Sequence, residues 1–363
     1  MKSNYKALGK YIQTVDERNS GLEDLPLMGL SIQKKFIPSI ANIIGTDMST
    51  YRIIERNQFA YGPVTSRNGD KITIALFDDH DKALISQAYT PFEVKDTNEL
   101  DPEYLMMWFR RPEFDRYARF KSHGSAREIF DWEEMCNVKL PIPHIDKQRE
   151  IVKEYNVIQN RITLNQQMIQ KLEETAQAIY KQWFVEGIDL ENLPQGWRVG
   201  SFEELIKIGS GKSVIRKSEF KNEHYKYPIY GAGGIMGYSD DILLNEKIIS
   251  IGRVGTHGIV QRINFPCWLS DNTLIIKSPS YEYVYQILLN INYDEINRGG
   301  VQGLITQTDI NNLQILLPEK SMLEKFEEIS STIFKFQDDL KIENQKLSEL
   351  KELLLSKLAT VEG

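Results

Sequence analysis

Two stretches of this chain place an apolar residue at alternating spacings of four and three, and each begins just after a proline that closes a short apolar run. In the first, Ile151, Tyr155, Ile158, Ile162, Asn165, Ile169, Leu172, Ala176, Ile179 and Trp183 keep this spacing, with Asn165 as its one polar member. In the second, Phe326, Ile329, Ile333, Phe336, Leu340, Glu343, Leu347, Leu350 and Leu354 keep it, interrupted at Glu343 with Asn344 beside it. A mean period of 3.5 residues is the seam of a supercoiled helix, so both stretches predict long coiled-coil helices. At about 1.5 Å per residue, the segment from Lys147 to Glu186 would form a rod of roughly 60 Å. The polar interruptions read either as solvent-exposed gaps in amphipathic surface helices or as a register-setting pair.

The chain also repeats upstream of these helices. At an offset of 175, Ile129, Met135, Val138, Leu140, Ile142 and Pro143 fall on Leu304, Ile310, Leu313, Ile315, Leu317 and Pro318. The same offset sets Gly124 on Gly299 and Ile151 on Phe326, so a unit of glycine turn, short helix, apolar strand, proline and long helix occurs twice. At a slightly larger offset, Tyr61, Gly62 and Arg67 with Asn68 and Gly69 resemble the run from Ser250 to Gly258 more weakly. Elsewhere, short β-branched and aromatic runs broken by turn residues, such as Lys71 to Phe77, Lys247 to Ile251 and Thr273 to Lys277, predict strands. The expected class is α/β (α+β) with a pseudo-two-fold repeat and two long antiparallel helices. Its parts are a globular domain at 1–142, a central helix at 143–187, a second globular domain at 188–318 and a C-terminal helix at 319–363. The stretch Gly187 to Trp197, which loses the heptad and holds Pro194-Gln195-Gly196, reads as the connector into the second domain.

No run of about eighteen apolar residues is present, and the first residues carry no apolar stretch of the signal-peptide kind, so a cytoplasmic location is expected. Two cysteines, Cys136 and Cys267, exclude a disulfide framework and a cysteine zinc site, and read as small buried apolar residues. The net charge of −7 argues against a polyanionic partner only on average. A binder of nucleic acid needs a local basic surface. Six bases from Lys207 to Lys226 face two acids, a local +4, and six from Arg110 to Glu128 face three, a local +3. Residues 319–363, with seven bases and ten acids, hold much of the acidity.

Catalytic signatures are wanting. Gly211-Lys212-Ser213 ends like a phosphate-binding loop, but Ile206 stands where that motif needs its first glycine. Gly231-Ala232-Gly233-Gly234-Ile235-Met236-Gly237 approaches a dinucleotide fingerprint with Met236 in the third glycine position, and is more simply a turn that lets backbone approach a ligand. The five histidines form no pair at metal-ligand spacing. Asp79 followed by Glu93 and Lys95 imitates a metal-dependent nuclease triad, a pattern common by chance. No Asn-Pro-Pro-aromatic or Asp-Pro-Pro-aromatic motif of an amino-methyltransferase is present.

Two globular domains, each followed by a long helix, with duplication and no catalytic centre, form a distinctive combination. Three stretches sharpen it: Leu140-Pro141-Ile142-Pro143 leading to Lys147-Gln148-Arg149-Glu150-Ile151-Val152, Leu193-Pro194-Gln195-Gly196-Trp197, and Tyr227-Pro228-Ile229-Tyr230-Gly231 running on to Tyr238. Across its whole length the chain resembles the specificity subunit of type I restriction-modification systems. It departs from the pattern after Pro318, where Glu319-Lys320-Ser321-Met322 replaces the fuller motif. The resemblance implies a non-catalytic subunit in which each globular domain reads half of an asymmetric bipartite target in double-stranded DNA. It also implies helices that space the halves and dock methyltransferase subunits, with motor-nuclease restriction subunits joining them. S-adenosylmethionine, ATP and magnesium would then sit on those partner subunits, with no cofactor in this chain. The alternatives are a metal-dependent nuclease working through Asp79, Glu93 and Lys95, and a coiled-coil scaffold without DNA specificity.

For a DNA reader, the basic islands supply candidates for phosphate or base contact: Arg67, Arg119, Lys121 and Arg127 in the first domain, and Lys212, Arg216, Lys217 and Arg253 in the second. Arginine bonds guanine bidentately and asparagine or glutamine bonds adenine. Asn68, Arg127, Arg253, His257 and Gln302, in glycine-flanked turns, are therefore the candidates for reading base edges, and Tyr230 joins the DNA-facing set. The helix-contact candidates are Ile151, Ile158, Asn165, Leu172 and Ile179 with Phe326, Ile333, Leu340, Leu347 and Leu354.

Overall fold

The computed structural model describes residues 5–41, 45–66, 68–69, 71–123, 128–214, 216–254, 258–296 and 304–361. The chain divides into two compact units, Met1–Asn165 with Ile342–Gly363, and Gln166–Lys341. The division passes through the middle of both long helices, because each helix half is packed into the core of one globular part.

In the first unit, β1 (Tyr5–Ala7), β2 (Ile12–Thr14), β3 (Leu27–Leu30), β4 (Phe36–Pro38), β5 (Arg52–Glu55), β6 (Phe59–Tyr61), β7 (Ile74–Leu76), β8 (Lys82–Ile85) and β9 (Thr90–Val94) precede three short helices. These are α1 (Pro102–Phe109), α2 (Pro112–Lys121) and α3 (Trp132–Asn137), followed by β10 (Lys139–Pro141) and the long helix α4 (Ile145–Phe184). An antiparallel sheet runs β2-β9-β6-β7, a second runs β4-β3-β8-β5 with β3 parallel to β8, and β1 pairs with β10. Helix α1 starts where Asp101 accepts from the Glu103 and Tyr104 amides, with Pro102 in the first turn. Its residues Tyr104 to Phe109 are all buried against the first sheet. Val152 and Tyr155 of α4 enter the same core, as do Leu355 and Leu358 near the C-terminus. The predicted strand from Lys71 to Phe77 shortens to β7, because the Ile72 amide donates instead to the Asp115 carboxylate at 3.2 Å.

The second unit rebuilds this plan. It comprises β11 (Arg198–Ser201), β12 (Lys207–Ser210), β13 (Tyr227–Gly231), β14 (Gly234–Ser239), β15 (Ile248–Gly252), β16 (Val260–Ile263), β17 (Trp268–Leu269) and β18 (Thr273–Lys277). Helices α5 (Tyr281–Asn290), α6 (Tyr293–Ile296) and α7 (Gln307–Asn311), strand β19 (Gln314–Leu317) and the long helix α8 (Lys320–Lys357) complete it. Its sheet order β12-β18-β15-β16 matches β2-β9-β6-β7 strand for strand. The order β14-β13-β17, with β13 parallel to β17, matches β4-β3-β8, and β11 with β19 matches β1 with β10. The repeat seen in sequence at 129–143 and 304–318 thus extends through most of each globular part, β5 having no counterpart among the described strands of the second.

The helices run antiparallel within each unit. In the first, the Lys351 ammonium donates to Gln159 at 2.9 Å, while Asn165 donates to both Glu343 and Asn344 at 2.9 Å. In the second, Gln337 donates to Glu173 at 2.9 Å, and Phe326 packs on Tyr180, Trp183 and Phe184. Asn165, only 3% exposed, is therefore part of a pair across the helices rather than a solvent-facing gap, and Arg161 grips both oxygens of Glu343 beside it. The α8 seam differs from its heptad reading. Ile329, Phe336 and Leu350 are 40%, 49% and 45% exposed, whereas Ser330, Phe334, Gln337 and Leu355 are buried. Phe326 and Leu340 keep their predicted inward places, but elsewhere the buried position lies one residue further along, because small and polar side chains fill part of the stripe and the 3.5-residue count followed the larger apolar ones. Cys267 is fully buried, but Cys136 only partly, packed against Gly9.

Candidate nucleic-acid interface

In each unit some of the sequence-derived candidates lie around the turn that follows an inner strand, β6 or β15. In the first, β6 leads through Gly62, where a Cβ would stand 2.5 Å from the Thr73 hydroxyl, to Val64. Val64 forms an antiparallel bridge with Ile129, and the Thr65 amide donates to the Glu128 carbonyl at 2.9 Å. The Thr65 hydroxyl donates to Ser122, just after α2, at 2.9 Å. The fold thus brings Thr65, after β6, to the end of α2, the helix that carries Arg119 and Lys121. The Asn68 amide donates to the Val64 carbonyl at 3.2 Å and so closes its own turn. Arg119 is ion-paired with Glu128, and Lys121 lies 3.4 Å from Glu134. Arg67 and Arg127 lie outside the described residues.

The second unit makes the same join. Val254, just past β15, bridges Leu304, and the Ile305 amide donates to the Arg253 carbonyl at 3.0 Å. Val64 with Ile129 and Val254 with Leu304 are thus equivalent pairs, which gives the weak sequence match around Gly62 and Gly252 a structural meaning. The Arg253 guanidinium reaches the Ser210 hydroxyl of β12 at 3.5 Å, and Gln307 donates to the same oxygen at 2.9 Å. The Arg253 Nε is buried without a hydrogen-bond partner. Lys212, two residues beyond Ser210, has its backbone fixed on both sides, its amide donating to Leu269 and its carbonyl accepting from the Trp268 indole. A Cβ at Gly211 would stand 2.0 Å from the Ser270 carbonyl, so only glycine lets these backbones meet. His257 and Gln302 lie outside the described residues.

Arg216 and Lys217 belong to a separate loop between β12 and β13, where Arg216 pairs with Asp240 at 3.2 Å and Lys217 is exposed. Tyr230 is half-buried on β13 beside Phe265, and burial pushes its phenol up to about 12, so it serves as a neutral hydroxyl. The run from Gly231 to Gly237 is the tight β13–β14 hairpin. Sequence reasoning passed over Gln307, which the fold draws to Ser210, and two exposed aromatics, Phe120 and Phe220. The aromatics had a signal, since each stands among basic residues; Gln307 had none.

The nuclease triad is occupied otherwise. Glu93 accepts from Gln13 at 2.8 Å and from Gln58 at 3.1 Å, while Lys95 donates to the Gly9 and Lys10 carbonyls. Asp79 lies exposed in the turn after β7, and no cluster of metal-ligating side chains occurs among the described residues.

The family described as the type I restriction modification DNA specificity domain matches residues 41–174 and again 194–352. The chain belongs to this family. One matched segment falls on each copy of the repeated fold, the first beginning after β4. Among relatives, the type I restriction enzyme MjaIX specificity subunit of Methanocaldococcus jannaschii is 24% identical over 297 residues, covering 70% of this chain and 68% of that protein. The HindI specificity subunit of Haemophilus influenzae is 20% identical over 421 aligned positions, covering 90% and 91%. The crystal structure of a type I restriction-modification S subunit from M. genitalium shares the fold, with a TM-score of 0.60 at 15% identity over 99% of this chain and 96% of that one. As a member of the specificity family, the chain is a non-catalytic component of its system.

Proposed function

We propose that each globular part is a target-recognition domain and that the chain reads an asymmetric, bipartite sequence in double-stranded DNA. The observation that carries this reading is the duplicated site. Two copies of one sheet each bring a turn after the central strand against the segment before the short helix α3 or α7, and each junction holds basic and amide side chains. Two such modules on one chain suit a target of two half-sites, with phosphate contacts setting position and base edges setting sequence. The proposed sorting of residues is Lys212 and Lys217 to phosphate, Arg119, Lys121 and Arg216 to the rim, and Arg253 with Asn68 to base edges, Arg67, Arg127, His257, Gln302 and Tyr230 completing the set.

Helices α4 and α8 would set the gap between half-sites and dock methyltransferase subunits, two of them matching the two-fold repeat. Exposed apolar side chains such as Val157, Leu164 and Met168 on α4, and Phe336, Ile342 and Leu353 on α8, support docking of partner helices. Restriction subunits, S-adenosylmethionine, ATP and magnesium belong to that larger assembly, and its place is the cytoplasm, with its DNA. No helix among the described residues is long and apolar enough to cross a membrane.

Methylation-sensitive long-read sequencing of DNA from a host carrying this chain with its methyltransferase tests the reading. A bipartite methylated motif is expected, and exchange of residues 1–142 for those of a relative should change one half only. A single continuous motif, or a swap that alters both halves, would overturn it.

A further inference from the structure

The basic stretch from Lys207 to Lys226 holds an aromatic ring out in solvent. Phe220 is 71% exposed, in the loop that leaves β12 and returns to β13. Folding ordinarily buries a phenylalanine, and a ring exposed alone says little. Here the backbone beneath it is built to hold it there.

Both ends of the excursion are fastened to β14. Ser218 exchanges two backbone hydrogen bonds with Tyr238, at 2.9 and 2.8 Å, and the Lys226 amide donates to the Ser239 carbonyl at 3.1 Å. The first fastening requires glycine at 237, which has φ +150° and whose Cβ would stand 2.8 Å from the Ser218 carbonyl. Between the fastenings, the Ser218 hydroxyl takes both backbone groups of Phe220, donating to its carbonyl at 2.7 Å and accepting from its amide at 3.2 Å. Asn222 then closes the tip by accepting from the His224 and Tyr225 amides at 2.9 Å each. A preorganised loop loses little conformational freedom when it binds.

The surroundings select the occupant. Lys217 and Lys221 flank Phe220 in sequence, exposed and without ion pairs among the described residues, and Lys226 closes the loop. The acids here are Glu219 and Glu223 within the loop and Asp240, which is paired with Arg216 at 3.2 Å and lies 3.6 Å from the His224 ring. An apolar partner protein would have to desolvate these lysines, whereas a phosphate backbone meets them and offers a base stack between its strands.

We infer that Phe220 is a wedge that enters the base stack of duplex DNA at the second half-site, with Lys217 and Lys221 on the flanking phosphates. The inference rests on the proposed DNA-reading function and adds a mode of contact to it: an unstacked step read through its deformability rather than its hydrogen-bonding edges.

The test uses the full chain with its methyltransferase subunits and a duplex carrying the sequenced target, with 2-aminopurine placed at successive positions of the second half-site. Wild type is expected to raise the fluorescence at one step. Phe220→Ala should abolish that rise and weaken binding roughly tenfold to a hundredfold, the range of a lost aromatic–base stack. Lys217→Ala with Lys221→Ala should keep the rise, where binding is saturated, and lower the salt slope by about 2. Unchanged melting of the Phe220→Ala chain confirms that the fold is intact, as an exposed ring predicts. If wild type binds but no position brightens, or if Phe220→Ala binds and brightens like wild type, the wedge is overturned while DNA recognition stands. If wild type does not bind the duplex at all, the DNA-reading function falls and the wedge with it.

Discussion

Glu327 shows how one side chain joins an element to its neighbour and makes stability depend on pH. Its carboxylate accepts from the Glu282 and Tyr283 amides at 3.1 and 2.9 Å, so a residue of α8 caps the first turn of α5. Burial pushes its pKa up to about 7, against the pull of those two donors. A carboxyl group whose folded pKa lies above its unfolded value near 4.5 binds its proton more tightly in the native state. Its contribution is therefore largest below that unfolded value and is lost as pH rises through about 7. Glu327→Gln keeps an acceptor for one amide and removes the titration. Thermal melts at pH 5.5 and 8 should show wild type losing stability over that interval, by about 3 kcal/mol at most, while the variant's curve is flatter. Equal slopes for the two proteins would show that Glu327 is ionised throughout.

The elements are fixed by contacts that periodicity alone ranks wrongly. Phe326 is fully buried among Tyr180, Trp183, Phe184 and Tyr283, whereas Phe336, in the same heptad reading, is 49% exposed. Phe326→Ala should cost roughly 3–5 kcal/mol, the range for a large core truncation, and Phe336→Ala less than about 1 kcal/mol. Urea titrations of both variants measure this, and comparable losses would place Phe336 in the seam after all. If docking of partner subunits uses the exposed stripe, Phe336→Ala should instead weaken that assembly. The helix ends were better marked: α4 starts after Pro143 and is pinned by Gln148, whose side chain bonds the Glu99 and Pro143 carbonyls and the Asp101 amide.

At the scale of the molecule, the proposed bipartite reading would make the gap between half-sites a property of α4 and α8. Both helices pass from one compact unit to the other, at Asn165 to Gln166 and at Lys341 to Ile342. Four helix-forming residues inserted at each of these points add about 6 Å to each helix and nearly restore side-chain facing. With duplex DNA rising about 3.4 Å per base pair, the methylated motif should keep both halves and gain one or two base pairs between them. Two residues inserted at each point instead turn the following residues by about 200° and should abolish methylation. An unchanged gap in an active four-residue variant would show that the helices are not the ruler.

What the sequence determined by itself was whatever repeats along the chain: the heptad spacing, the matched prolines at 143 and 318, the apolar runs ending in Pro143 and Pro318, and the two basic islands. Periodicity is local, and the 175-residue offset needs no knowledge of contacts. The resemblance of Gly62 to Gly252 was legible but weak, because the residues that make the two sites equivalent, Val64 with Ile129 and Val254 with Leu304, are partners far apart in sequence. Only the tertiary structure decided that Asn165 bonds Glu343 and Asn344 rather than water, that Gln307 joins Arg253 at Ser210, and that Glu93 and Lys95 are engaged within the fold. Those outcomes turn on which polar group meets which across the sheets and helices. Hydrogen bonds are short and directional, so no pattern of residue types along the chain specifies them.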